Sequence, residues 1–222
     1  MRKASPAIRG ASVRPSALVA VRTTERMTAL SQPAGRGMTV AEFLEHDDGT
    51  QTRYELVDGE LVAMNPPATR HVRICQNIGR ALDRQLRRPC EAFWSSAGVA
   101  LGESERNWRQ PDIFVTCVRP AKGYFLDPRL VVEVLSPSTE KEDRTTKLDF
   151  YESLPSAPAI LLVWQDQRRV RLRTRGDAGW QDQDVVGSDR VRVEALGVEL
   201  GLDEIYFDPW DGMAEEAGHE AR

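Results

Sequence analysis

Asp112, Glu133 and Lys147 are residues of the types, and in the places, that metal-assisted hydrolysis of a phosphodiester would use. The run from Leu130 to Leu135 is apolar on both alternating faces except at Glu133. Leu130, Val132 and Val134 fall on one face; Val131, Glu133 and Leu135 fall on the other. Such a strand belongs inside a sheet covered on both sides. A carboxylate there is costly to desolvate unless it is paired, protonated or bound to a metal. Asp112 enters a second strand, Pro111–Cys117, directly after a proline. If the two strands are neighbours, their carboxylates converge on one cation. Mg²⁺ takes hard oxygen ligands and commonly only one or two carboxylates, leaving water and substrate phosphate to fill the rest. Lys147 falls on the helix after Glu133 and could return across the same cleft to stabilise developing negative charge or orient a water. On spacing alone, structural readings stay open: Asp112 bonding backbone at a strand entry, Lys147 paired with Asp143, Glu133 paired with an arginine from a neighbouring strand.

The elements that must position these residues can be read from pattern. Thr39 with Glu42 is a capping box that opens a short helix. Asp58-Gly59 between Arg53–Val57 and Glu60–Met64 predicts a two-residue hairpin. That register sets Val57 opposite Glu60 and Glu55 opposite Val62, with both glutamates on one face. A helix is predicted over about Thr69–Arg87, with His71, Ile74, Cys75, Ile78, Leu82 and Leu86 as its buried stripe. His71 reads as a packed or hydrogen-bonded histidine, with a catalytic role as the alternative. Arg73, Arg80, Arg84 and Arg87 fall on the opposite side, either as a solvated face or as a phosphate-contacting one.

Short strands are predicted near Cys90–Trp94 and Gly98–Leu101, with Gly102–Arg109 as a loop. Thr139 with Glu142 predicts the start of a helix running to about Leu154, with Asp143, Lys147 and Tyr151 on one face. Strands follow at Ala159–Trp164, Arg168–Thr174, Trp180–Val186 and Arg190–Val193, and Leu202–Phe207 closes the fold. On the second of these, Arg169, Arg171 and Arg173 share a face.

The 222 residues suffice for one sizeable core. Residues 1–37 are basic, with seven Lys/Arg against Glu25, and read as a disordered extension; Met27 and Met38 are alternative starts to Met1. Residues 38–208 form the domain, and 209–222 an acidic, loose tail. Net charge is −4 overall, so the body beyond the basic arm is distinctly acidic, which argues against coating nucleic acid by bulk charge. Three cysteines without a C-x-x-C spacing read as a reducing compartment, the cytoplasm, with no disulfide framework and no zinc finger. No apolar run approaches the roughly 20 residues of a membrane span.

The segments RYELVDGELVAMNPP…H, QPDIFV, LVVEVLSPST and D…K…Y, in that order over residues 38–207, resemble the Uma-type family of putative restriction endonucleases, assigned to the PD-(D/E)XK nuclease superfamily. The resemblance implies an α/β fold with a restriction-endonuclease-like core, a mixed sheet flanked by helices, and an N-terminal hairpin. It implies Asp112 as the first acidic ligand, Glu133 as the second, and the Val134 carbonyl as a further metal ligand. The usual lysine two residues after the second acid is here Leu135, a departure; Lys147 is the candidate to replace it. Glu60, in preference to Glu55, would complete the acidic cluster, while Ser136 and Tyr151 match family positions without a derivable role. Mg²⁺, with Mn²⁺ as a substitute, is the implied cofactor. DNA is the implied substrate, and a homodimer the implied assembly for cutting both strands. Arg73, Arg80 and Arg84, or Arg169, Arg171 and Arg173, are then candidate backbone contacts. The competing expectation is a nuclease fold without useful catalysis that binds nucleic acid or a protein partner.

Overall fold

The structure is a computed structural model that describes residues 37–94, 97–102, 105–119, 127–136 and 143–211. The basic extension before Gly37, the Thr139–Glu142 capping box and the tail after Asp211 lie outside the described residues. The capping box of Thr39 and Glu42 opens helix α1, Val40–Leu44. Strands β1 (Tyr54–Val57) and β2 (Glu60–Ala63) form the expected hairpin, with Glu55 opposite Val62 and Val57 opposite Glu60. Asp58 and Gly59 both have positive φ, 50° and 86°. This is the primed turn whose twist suits a two-residue connection.

Helix α2 runs Thr69–Gln85 and buries Ile74, Ile78, Ala81 and Leu82. Each large apolar side chain so buried contributes about 1.5–3 kcal/mol. Next come β3 (Glu91–Trp94), β4 (Val99–Ala100), β5 (Trp108–Arg109), β6 (Ile113–Thr116) and β7 (Pro128–Leu135). A turn of π-helix, Asp143–Lys147, leads into helix α3, Leu148–Ser153. Strands β8 (Ala159–Trp164), β9 (Arg169–Gly176), β10 (Gly179–Val186), β11 (Arg190–Val193) and β12 (Val198–Gly201) follow, and helix α4, Leu202–Ile205, closes the chain.

The central sheet has six strands in the order β10-β9-β8-β7-β6-β3. Only β7 and β8 pair in parallel, joined through α3; the other pairs in this sheet are antiparallel. The fold is therefore α/β with a mixed sheet. Its faces follow the alternation of β7. Leu130, Val132 and Val134 pack with α2, while Val131 and Leu135 pack with Leu148, Phe150 and Tyr151 of α3. A smaller sheet, in the order β2-β1-β5-β4, has its own apolar cluster of Val40, Leu56, Ala100 and Trp108.

Two expectations are corrected here. Trp108–Arg109, read as loop, forms a strand against β1. Cys90 and Cys117, read as thiols, form a disulfide. The pairing of Glu91 with Thr116 sets the two cysteines opposite each other at the ends of β3 and β6. They are 27 residues apart in sequence, so only the strand pairing brings them together. Cys75 is left as the free thiol. No helix among the described residues is long and apolar enough to cross a membrane.

Candidate active site

The two candidate acids lie on adjacent strands. β6 and β7 pair with Ile113 opposite Val132, and continuing that register sets Asp112 opposite Glu133 and Pro111 opposite Val134. Asp112 accepts the Val134 N–H on Oδ2 at 2.7 Å. Its Oδ1 lies 3.0 Å from Nε2 of His71, in the first turns of α2. An ionised carboxylate only accepts, so the ring nitrogen facing it carries the proton.

Glu133 is 2% exposed. Its Oε1 accepts the Tyr151 hydroxyl at 2.5 Å, and its Oε2 lies 3.6 Å from Nζ of Lys147. Lys147 and Tyr151 are four residues apart at the start of α3, so one helical face delivers both to Glu133. Burial first, and then the charges of Glu133 and Glu55, push the Tyr151 hydroxyl well above its ordinary pKa. Tyr151 thus keeps its proton and donates it, a role its sequence position alone did not reveal.

Glu60 is corrected: it does not join this cluster. It is exposed beside the Asp58-Gly59 turn, where it pairs with Val57. Glu55 takes the place. It shares the hairpin face but sits on β1, which lies between β2 and β5 and is covered by both. Glu55 Oε1 accepts the Gln110 N–H at 2.9 Å and lies 3.6 Å from Lys147 Nζ. Its Oε2 accepts from Arg109 Nη1 at 3.1 Å. Lys147 therefore stands between two buried carboxylates from two different sheets. The cluster holds three acids, Glu55, Asp112 and Glu133, against two fixed cations, Lys147 and Arg109.

All of these except Arg109 and Tyr151 line one cavity of about 630 Å³, together with His71, Cys75, Val134 and Arg53. Gln110 is 5% exposed and also faces this cavity, with its Nε2 lacking a hydrogen-bond partner among the described residues. Burial, and then the nearby Asp112 and Glu133 charges, push the Cys75 thiol up.

The expected backbone-contacting arginines are mostly occupied. Arg171 and Arg173 stand opposite Asp184 and Asp182 on β10. Arg169 and Arg171 bond Asp184 at 2.9 and 2.7 Å, and Arg173 reaches Glu152 at 2.8 Å. This stripe is a cross-strand ladder of matched charge rather than an open basic face. Arg84 pairs with Glu204, and Arg73 lies over the Trp210 ring at 4.4 Å. Arg80 is exposed, with no ion pair among the described residues.

The charge ladder carries a pH prediction. The hydrogen bond from Arg171 is the main cause that holds Asp184 down, from 3.8 to about 2. A depressed carboxylate contributes stability above its ordinary pKa and loses it as pH falls through the folded value. The contribution is thus lost between about pH 4 and 2. Asp184 is 39% exposed, so solvent screening keeps it below about 1 kcal/mol. Carboxyl-carbon NMR should show Asp184 titrating near 2, and higher in Arg171→Met, where Arg169 alone still holds it down; no change in the variant would remove Arg171 as the cause.

A family model described as Uma2, putative restriction endonuclease, matches residues 40–203. The chain belongs to this family. An uncharacterized protein of Synechocystis sp., slr1290, is 30% identical over 170 residues, which cover 74% of this chain and 89% of that one. A second Synechocystis protein, sll1609, also uncharacterized, is 28% identical over 159 residues, covering 68% of this chain and 89% of that one. Among solved structures, a crystal structure described as a putative nuclease belonging to DUF820, from Anabaena variabilis ATCC 29413, superposes with a TM-score of 0.59. Sequence identity to it is 18%, with 76% of this chain and 97% of that one covered, so this likeness concerns the fold alone. The Uma2 match spans β1 through β12 and contains every residue of the acidic cluster.

Proposed function

We propose that this protein is a divalent-metal-dependent endonuclease of the PD-(D/E)XK type that hydrolyses phosphodiester bonds in DNA. The observation that carries the reading is the meeting of Asp112, Glu133 and Lys147 at one cavity, with the lysine held between Glu133 and Glu55. The family's description as putative restriction endonucleases and that of the Anabaena protein as a putative nuclease support the nuclease class.

The donor set fits Mg²⁺ or Mn²⁺. Asp112 and Glu133 offer hard oxygens, and the N–H of Val134 already marks the end of β7 as the place where backbone meets Asp112. The residue opposite Val134 is Pro111, which has no N–H to give its carbonyl, so that carbonyl suits a metal better than a ladder position would. A bound ion would polarise the scissile phosphate and make its water more acidic.

The chain's own groups supply the rest. His71 and the Val134 amide fix the orientation of Asp112. Tyr151, on the α3 face of the sheet, fixes that of Glu133. Lys147 brings positive charge to the cavity where phosphate oxygens gain negative charge, without needing the usual position two residues after Glu133. The exposed Arg53 on the cavity wall, with Arg80 on α2, meets phosphates and positions the strand without reading sequence. Cutting both strands of a duplex would take two copies.

The test is incubation of the full chain with supercoiled plasmid in Mg²⁺, Mn²⁺ or EDTA. The expected result is nicked and linear DNA with either metal and none with EDTA. Metal-independent gel retardation without cutting would overturn the enzyme reading in favour of a binding module.

A further inference from the structure

We propose that His71, Cys75 and Asp112 form a second metal seat, one that takes a borderline or soft divalent ion of the Zn²⁺ class. One ligand atom from each of the three lies within 4.8 Å of the others. Ligand atoms on a common tetrahedral Zn²⁺ lie roughly 3.5 Å apart, so small side-chain rotations close the set. His71 and Cys75 are four residues apart on α2 and therefore face the same way. All three residues are half-buried and line the cavity, which gives an ion a way in and leaves room for water in a fourth position.

The chemistry of the donors separates this seat from the acidic pair. Imidazole and thiolate select Zn²⁺ and its neighbours, whereas Mg²⁺ wants oxygen. Glu133, bonded to Tyr151 and facing Lys147, is not part of the set. With Cys90 and Cys117 joined, Cys75 is the single thiol available. The same Asp112 and Glu133 charges that disfavour a Cys75 thiolate make the place favourable for a dication. On binding, the thiol proton leaves to solvent, and the His71 proton facing Asp112 passes to the other ring nitrogen, which frees this nitrogen's lone pair for the ion.

Asp112 belongs to both seats. Its Oδ2 is committed to the Val134 amide, so Oδ1 is the oxygen that both ions would want. Zn²⁺ at the second seat therefore withdraws Asp112 from the acidic pair and inhibits Mg²⁺-dependent cutting. This regulatory consequence rests on the nuclease reading; the seat itself does not.

The experiment is a Co²⁺ titration of the full chain, disulfide closed, followed by absorption spectroscopy. The expected result is a near-ultraviolet thiolate-to-cobalt band that saturates at one equivalent and is displaced by Zn²⁺. Cys75→Ser should abolish the band. His71→Ala should weaken binding at least tenfold, and Glu133→Gln should leave the band in place. Should Cys75→Ser not fold, the unmodified chain gives a second readout: Zn²⁺, but not Mg²⁺, should slow alkylation of Cys75 at least tenfold. No band at saturating Co²⁺, or a band that survives Cys75→Ser, overturns the proposal even if plasmid is cut. A band without any cutting keeps the seat and removes the nuclease reading, so the two failures are distinguishable.

Discussion

Glu133→Gln is expected to lower metal-dependent DNA cleavage by about 10²–10³-fold while leaving the protein folded and no less stable. The activity loss follows from what the carboxylate is asked to supply. Under the proposed mechanism, losing one of two acidic metal ligands forfeits several kcal/mol of charge stabilisation, and each ~1.4 kcal/mol is tenfold in rate. The stability side follows from burial. Glu133 is 2% exposed on a strand that is otherwise apolar. A neutral amide of the same shape removes the cost of desolvating a charge. It also still accepts the Tyr151 hydroxyl. Lys147 keeps Glu55 as its partner at 3.6 Å, so no cation is left alone. Asp112→Asn should lose cleavage by a similar factor. The same plasmid assay with urea unfolding beside it checks both. A Glu133→Gln protein that cuts normally would make Glu133 a structural ion-pair residue. One that unfolds would show that Lys147 and Tyr151 need the charge for packing.

The legible part of this fold was the part written in short-range pattern. Alternation in Leu130–Leu135 marked a buried central strand and singled out Glu133, because a lone carboxylate on a buried face violates an otherwise consistent rule. The Asp58-Gly59 dipeptide gave the hairpin and its register, down to the Glu55–Val62 pair. What pattern could not give was which strands neighbour which. Glu55 and Glu60 share a face, and only the packing of β5 against β1 makes one buried and the other exposed. Arg109 looked like loop because a two-residue strand carries no periodicity. The arginines of β9 looked basic in isolation, although Asp182 and Asp184 alternate at matching positions just across the turn. The disulfide was missed because its two cysteines meet only through the β3–β6 ladder.

Arg109→Ala should cost about 3–5 kcal/mol of stability. Arg109 is 1% exposed, and its guanidinium donates to Glu55 at 3.1 Å. Removing one partner of a buried pair strands the other charge, and that penalty dominates. Glu55 would keep the Gln110 N–H and a more distant Lys147, but its Oε2 would lose its cation. For a protein of this size the loss corresponds to roughly 6–20 °C in Tm. The mechanism makes a sharper statement about the double variant. Arg109→Met with Glu55→Gln removes both charges and keeps most of the volume, so most of the loss should be recovered. The consequence reaches the candidate active site as well. Glu55 without Arg109 competes harder for Lys147 and draws it from Glu133, so cleavage by Arg109→Ala should fall even at temperatures where the variant is folded. Urea unfolding of Arg109→Met, of Glu55→Gln and of the double variant decides the point. Losses that simply add would mean that Arg109 and Glu55 act independently, and that the cluster is not held together through this pair.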